Sequence, residues 1–195
     1  MPKVIDHDQR RREIVEVAKK LIIEGGFEAA TMRGIVTAAG FANGALTHYF
    51  ASKDAIIAAT FQSVLEEMAA PLEALDPSLS PVEALRGFVE AAMPLDAHRI
   101  TSARVLLVLW EHSVANPDLA RQYRDVLTNW RVELVNRIAA VDDNLDADVL
   151  ADEIISVAIG ANVASLMHPV GDLVKRYQAY VDALIERITD CSPRT

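Results

Sequence analysis

Apolar residues recur at helical spacing through almost the whole chain. A first helix is expected over residues 9–24. Its apolar stripe consists of Ile14, Val17, Ala18, Leu21 and Ile22. These positions repeat at i, i+3, i+4, i+7 and i+8, which is the period of one face of an α-helix. Because no segment shows the strict alternation of a half-buried strand, the pattern predicts an all-α protein.

The next predicted elements are short and are separated by turns. A second helix is expected over residues 32–39, with Thr31 as its N-cap and Gly40 as the residue that ends it. A third is expected over residues 43–49, and Ser52 is placed to cap a fourth. Two short helices that meet at a glycine turn and pack on a longer one are typical of a helix-turn-helix unit. The positions expected to face inward are Ile35, Val36, Ala39, Leu46, Tyr49 and Phe50.

Longer helices follow a proline-containing stretch at residues 71–81. Ser80 and Glu83 form the pattern of a capping box, and Pro81 stands at the first helical position. Five longer helices are expected to begin near residues 81, 100, 117, 147 and 171. The sequence therefore predicts about nine helices in two domains. Residues 1–53 would form a three-helix domain, joined by the fourth helix to a helical domain within residues 54–195.

Charge is divided unevenly along the chain. The net charge is −9, which by itself disfavours binding to a polyanion. Residues 1–53, however, carry eight Lys and Arg against six Asp and Glu, whereas the remainder carries 11 against 22. The first part thus has a balance of +2 and the second of −11. An acidic body with one mildly basic end would approach nucleic acid through that end.

The apolar fraction of 51% suffices for a buried core, but no apolar run approaches the roughly 18 residues that cross a bilayer. The N-terminal residues lack the apolar region of an export signal. Cys191 is the single cysteine and cannot form an internal disulfide. These features predict a cytoplasmic protein that does not associate with membranes.

The residues 31–56, TMRGIVTAAGFANGALTHYFASKDAI, carry the most specific signal. The segment resembles the DNA-binding domain of the TetR (tetracycline-repressor-like) family, in which the residues read T-x-R-x-I-A-x-x-A-G-V-S-x-G-x-L-Y-x-Y-F-x-S-K-x-x-L. The matching residues are Phe27, Thr31, Arg33, Ile35, Ala39, Gly40, Gly44, Leu46, Tyr49, Phe50, Ser52 and Lys53. The resemblance covers about residues 11–61 and implies a transcriptional regulator, in most cases a repressor that a small molecule releases from a palindromic operator.

The resemblance also assigns roles to individual residues. Thr31 and the first amides of the second helix would face a backbone phosphate, since helix N-termini favour anions. Asn43, Gly44, Ala45 and Thr47 would form the face that enters the DNA groove. The remaining candidates for contacts with DNA are Arg33, His48, Tyr49 and Lys53.

Three positions depart from the family pattern. Ala42 stands where the family usually has Ser, so Asn43 is expected to cap the third helix instead. Ala45 and Thr47 stand where the family often has Thr and Tyr. These two residues lack, respectively, the hydroxyl group of Thr and the aromatic ring of Tyr, and they present methyl groups that suit contact with a thymine methyl.

The C-terminal region is expected to hold a ligand pocket and a dimer interface, as the resemblance implies. The pocket candidates are Met93, Leu106, Trp110, Trp130 and Asn162. The dimer candidates on the last two helices are Ser156, Gly160, Ala164, Tyr177, Tyr180, Val181 and Leu184. A homodimer would place two half-sites one helical turn of DNA apart, roughly 34 to 36 Å.

Simpler interpretations of these residues remain open. The rings of Tyr49 and Phe50 are compatible with a purely structural role, as are Met93 and both tryptophans. The basic run at residues 10–12 is either a solvated helix start or an arm close to DNA.

The sequence also bears on competing functions. His98, His112 and His168 lack metal-ligand spacing, so no metal and no cofactor are expected. An all-α enzyme is the second hypothesis, but no nucleophile or di-iron motif occurs. A ligand-binding module that has lost DNA binding is the third.

Overall fold

The computed structural model describes residues 6–41, 44–73, 76, 78–167 and 170–190. These residues form eight α-helices and two 3-10 turns, without a strand among them. The α-helices are α1 (His7–Gly25), α2 (Met32–Ala39), α3 (Lys53–Glu73), α4 (Pro81–Ala92), α5 (Ala97–Ser113), α6 (Pro117–Val141), α7 (Ala147–Ser165) and α8 (Val170–Asp190). The 3-10 turns are Phe27–Ala29 and Ala45–His48. The predicted all-α class is confirmed.

The sequence-based helix count differs from the structure at one element. The predicted third helix, at residues 43–49, is instead a 3-10 turn over Ala45–His48. Gly44 precedes it in a left-handed conformation, with φ 90° and ψ −15°. This conformation interrupts α-helical geometry, and four residues are too few to complete a stable α-helix. Ala42, Asn43, His168 and Cys191 lie outside the described residues.

Polar caps fix where the helices begin. The Thr31 hydroxyl accepts a hydrogen bond from the Gly34 amide at 2.9 Å, and the Ser52 hydroxyl accepts one from the Ala55 amide at 3.2 Å. Before α4, Ser80 and Glu83 form both bonds of a capping box. The caps predicted at Thr31, Ser52 and Ser80 are therefore confirmed. Each satisfies amides that the first helical turn leaves without a partner.

The chain divides into two compact units. The first unit comprises Met1–Glu66 and Val105–Leu119, and the second comprises Glu67–Arg104 and Ala120–Thr195. The boundary expected between residues 53 and 54 falls at the start of α3, within the first unit. Both α3 and α5 contribute residues to both units.

The core of the first unit lies between α1, α2 and the second 3-10 turn. Its buried members are Ile14, Val15, Ala18, Ile35, Val36, Leu46, Phe50 and Ile56. Four of the six positions expected to face inward are buried, namely Ile35, Val36, Leu46 and Phe50, while Tyr49 and Ala39 are half-buried.

The core of the second unit is built by α4, α6, α7 and α8. Its largest buried side chains include Leu85, Leu134 and Ile138. Ion pairs join the helices around this core, including Arg86 with Asp182 at 2.5 Å and Arg187 with Glu153 at 2.6 Å. Among the described residues, no helix is both long and apolar enough to span a membrane.

Candidate nucleic-acid interface and internal cavity

The turn after α2 depends on two glycines with positive φ. Gly40 is left-handed, with φ 68° and ψ 27°, and its amide donates to the carbonyls of Thr37 and Val36. Gly44 has φ 90°. Because a Cβ is disfavoured in this region of backbone space, glycine is the residue that makes the change of direction at low energy.

The second 3-10 turn has a buried and an exposed side. Leu46 is 1% exposed and Phe50 3% exposed, and both belong to the core of the first unit. Gly44, Thr47 and His48 are exposed. We call residues 44–48 the recognition segment. Anchoring Leu46 and Phe50 in the core directs the side chains of Thr47 and His48 outward.

The Thr47 hydroxyl is engaged within the recognition segment. Its Oγ1 donates to the Gly44 carbonyl oxygen at 2.7 Å. The hydroxyl proton is therefore used inside the turn, while the oxygen lone pairs and the methyl group remain available. A methyl group at this position suits contact with a thymine methyl in the major groove.

The start of α2 combines a close approach of the backbone at Gly34 with an exposed N-cap, Thr31. A Cβ on Gly34 would lie 3.0 Å from both the Ala29 carbonyl oxygen and Thr31 Oγ1, so glycine permits this close approach. Thr31 is exposed, and its oxygen accepts the capping bond, which leaves its proton free to donate. Arg33 is exposed and makes no ion pair with any described residue.

Several cations of the first unit have partners inside the protein. Lys19 pairs with Glu16 at 2.8 Å, and Arg10 pairs with Glu13 at 2.5 Å. The Lys53 ammonium lies 4.0 Å from the centroid of the Phe27 ring. Lys53, predicted to contact phosphate, thus rests on an aromatic face.

Phe27 carries a second ring contact that the sequence did not predict. His112, at the end of α5, stacks on it with ring centroids 3.5 Å apart. The family pattern marks Phe27 only as an aromatic residue after a glycine turn. No local pattern identifies a partner 85 positions further along the chain.

A small cavity that is partly open to solvent lies in the second unit. Residues from α3, α4, α5 and α7 line it, together with Met93 after α4. The lining residues are Glu67, Met68, Ala91, Ala92, Met93, His98, Arg99, Ser102 and Asn162.

Two of the five predicted pocket residues, Met93 and Asn162, line this cavity. Leu106 and Trp110 belong to the first unit. Trp130 packs edge-on against Phe88, with ring centroids 6.4 Å apart. Glu67 and Arg99 also line the cavity, but no local sequence pattern indicates that two charged residues on separate helices come together.

The polar groups around the cavity are held in defined orientations. Asn162 Nδ2 donates to the carbonyls of Ala92 at 2.9 Å and Ala158 at 2.8 Å. Arg99 pairs with Asp96 at 3.1 Å and donates to the Glu90 carbonyl. Neither of these two partners lines the cavity, so the guanidinium charge is engaged outside it.

The predicted dimer residues divide by burial. Ser156 and Gly160 are exposed, whereas Ala164, Tyr177 and Tyr180 are half-buried. Burial, followed by the nearby Glu153 carboxylate, raises the pKa of Tyr180.

Two of the dimer assignments are corrected by the structure. Val181 is 0% and Leu184 2% exposed, because both pack in the core of their own unit. They retain no surface for a second chain. The exposed face of α8 includes Ala179 and Ala183.

Two packed α-helices followed by a glycine turn and an exposed, core-anchored recognition segment are the features of helix-turn-helix DNA-binding proteins. Residues 14–60 match the family model described as bacterial regulatory proteins, tetR family. Residues 81–190 match the model described as BetI-type transcriptional repressor, C-terminal. The chain belongs to the TetR family, with a C-terminal region of the BetI type.

Individual relatives agree with this assignment. The regulator PksA of Bacillus subtilis is 27% identical over 183 residues, which cover 90% of this chain and 89% of the relative. BetI of Stenotrophomonas maltophilia is 31% identical over 126 residues, 64% of each chain. These relatives are DNA-binding transcriptional regulators and not enzymes, as the sequence predicted for this chain.

Solved structures share the fold. A regulator from Rhodococcus superposes with a TM-score of 0.83 at 22% identity, covering 92% of this chain and 96% of the other. A regulator from Saccharomonospora viridis, solved in complex with choline, superposes with a TM-score of 0.78 at 23% identity and the same coverage.

The conformation of Gly40 yields a stability prediction. Gly40→Ala is expected to lower the free energy of unfolding by about 1–2 kcal/mol, because a left-handed alanine is strained. An added Cβ would meet nothing within 4 Å, so the cost would come from the backbone alone. Gly40→Asn is the matched control and should cost less, since asparagine tolerates this region. Urea unfolding followed by circular dichroism measures both, and equal stability of the alanine variant would contradict the prediction.

Proposed function

We propose that this regulator is a homodimeric repressor that leaves a palindromic operator when a small organic molecule binds in the cavity of the second unit. The observation that carries the DNA-binding part is the exposed recognition segment, fixed to the core by Leu46 and Phe50. The groove-facing residues of this proposal are Gly44, Ala45 and Thr47, with Asn43 adjoining them in sequence. The phosphate contacts are Thr31, Arg33, His48, Tyr49 and Lys53.

The distribution of charge supports this mode of binding. Residues 54–195 carry a balance of −11, so most of the surface repels a polyanion. Arg33 is exposed on α2, the helix whose N-terminus would face a DNA phosphate in this proposal. Because Arg33 makes no ion pair with a described residue, its charge is available to replace a condensed counterion on DNA.

The domain assignment belongs to the same proposal. Residues 1–53 read DNA, and residues 54–195 bind the effector and the second copy. Helices α3 and α5 belong to both parts of this proposal, because each contributes residues to the cavity lining and to the first unit. Glu67 and Met68 lie on α3, which begins at Lys53, and His98 and Ser102 lie on α5, which carries His112.

The exposed faces of α7 and α8 suit a homodimer. Small residues occupy the middle of both faces, with Ser156 and Gly160 on α7 and Ala179 and Ala183 on α8. Small side chains let helices approach closely. A two-fold arrangement of these faces would present two recognition segments to one palindrome.

The residues that line the cavity, together with the choline complex of one similar regulator, support a class of effector. Glu67 supplies a carboxylate, Met68 and Met93 supply polarizable apolar surface, and Arg99 is engaged with partners outside the lining. This combination favours a small organic cation. Choline, found in the Saccharomonospora viridis regulator, is the first such molecule to test.

The DNA-binding part is tested by selecting bound fragments from genomic DNA and titrating them in mobility-shift assays. Arg33→Gln is expected to weaken binding about tenfold and to reduce the slope of log K against log salt by about 1. Arg124→Gln, an exposed arginine of α6 in the second unit, is the matched control and should leave both unchanged. If the salt slope of the Arg33 variant were unaltered, Arg33 would not contact a phosphate. If the protein retained no genomic fragment, the proposed DNA binding would be rejected.

The dimer is tested by placing a charge in the middle of α8. Ala183→Arg is expected to shift the protein to monomers, because an uncompensated charge would be desolvated at the contact. Ala140→Arg makes the same change at an exposed alanine of α6 and should leave the dimer intact. Sedimentation velocity distinguishes the two states. A dimeric Ala183 variant would exclude this face from the interface.

The effector is tested with choline by thermal shift and by release of the selected DNA. Choline is expected to raise the melting temperature by preferential binding to the folded state. Glu67→Gln should raise the required choline concentration about tenfold, as the loss of one nearby opposite charge predicts. Glu66→Gln is the control at the exposed neighbouring position. No response of the unaltered protein would reject choline, and equal responses of both variants would remove Glu67 from the site.

A further inference from the structure

Arg11 joins α1 to the end of the recognition segment. Its Nη1 donates a hydrogen bond to the carbonyl oxygen of Tyr49, the residue that follows the second 3-10 turn. Its guanidinium carbon lies 4.1 Å from the centroid of the Phe50 ring. One side chain therefore meets both a terminal carbonyl of the turn and the buried ring that anchors it.

The first turns of α1 also contact residues on both sides of the recognition segment. Arg10 lies 5.6 Å from the centroid of the Phe41 ring, which precedes the segment. His7 lies 5.4 Å from the Tyr49 ring, which follows it. The segment between these contacts has left-handed Gly44 and only four residues of 3-10 structure. Such a short turn has little rigidity of its own, so its orientation depends on contacts at its ends.

We propose that Arg11 is a positioning residue for DNA recognition, which fixes the orientation of the recognition segment instead of contacting phosphate. The planar guanidinium suits this task, because it stacks on a ring with its face while its edge donates to a carbonyl. Lysine has no such planar group and cannot make both contacts equally well. Arg12, its neighbour, is exposed and makes no ion pair or hydrogen bond with a described residue.

A phosphate contact and a positioning role for Arg11 lead to different expected results in DNA-binding measurements. A phosphate contact contributes to binding of any DNA sequence and to the salt dependence. A positioning residue leaves the salt slope unchanged and affects the selected operator more than unrelated DNA, because base contacts require correct orientation.

The first experiment uses the free full-length protein and needs no DNA. The amides of Tyr49 and Phe50 both donate to the Leu46 carbonyl at 3.0 Å, so their hydrogen exchange reports on the turn. Arg11→Gln is expected to accelerate their exchange about tenfold, as loss of a charged hydrogen bond and a cation–π contact implies. Arg12→Gln makes the same change one residue away and should leave the exchange unaltered.

Two results of this experiment would overturn the proposal. Unaltered exchange in Arg11→Gln would show that the turn does not depend on the guanidinium. Equal acceleration in Arg11→Gln and Arg12→Gln would assign the effect to general loss of charge on α1. If Arg11→Gln does not fold, Arg11→Lys replaces it and is expected to accelerate exchange to a smaller extent. Exchange in Arg11→Lys equal to that of the unaltered protein would then overturn the proposal.

The second experiment titrates the variants with selected and unrelated DNA. Arg11→Gln is expected to lose about tenfold in affinity for the selected fragment, with an unchanged salt slope and unchanged binding of unrelated DNA. A slope reduced by about 1 together with unaltered exchange would identify Arg11 as a phosphate contact and overturn the proposal. Because exchange is measured without DNA, a protein that retains no DNA would still decide whether Arg11 orients the turn.

Discussion

The structure of the DNA-reading surface depends on the burial of Leu46 and Phe50. These side chains are four positions apart, and both enter the core formed with α1 and α2. Once they are buried, the intervening Thr47 must point outward. The left-handed Gly40 makes this geometry possible, since it lets the chain leave α2 and return to the same core within a few residues. The outward surface is therefore a consequence of inward packing.

Charge imposes a second constraint on an acidic protein that binds a polyanion. Pairing within α1 neutralises basic groups of the first unit, as with Lys19 and Glu16. Aromatic rings engage others, as with Lys53 on Phe27. Cation–π contacts at exposed sites contribute about 0.5–1 kcal/mol, so a DNA phosphate can compete for the same ammonium. A lysine held in this way is preoriented, so its side chain would lose less entropy in the proposed exchange of the ring for a phosphate.

Helical period and capping residues predicted the fold, because both are local properties of the sequence. They could not predict that residues 45–48 form a 3-10 turn, since that depends on the backbone conformation of Gly44. The sequence predicted the last helix, but periodicity does not reveal whether an apolar stripe meets its own core or a second chain. Val181 meets its own core. Similarly, Trp110 was predicted for the pocket but does not line the cavity. Met93 and Asn162 do line it, because the fold brings them together.

Two of the four helices that line the cavity, α3 and α5, also carry residues that contact one side chain of the first unit. Helix α3 begins with Lys53 and α5 ends near His112, and both residues contact the Phe27 ring. A ligand alters DNA affinity only through interactions that differ between the competent and incompetent states. Aromatic stacking contributes about 0.5–1.5 kcal/mol, and typical allosteric coupling is about 1–3 kcal/mol. Loss of the two contacts on one ring would therefore account for a coupling of ordinary size.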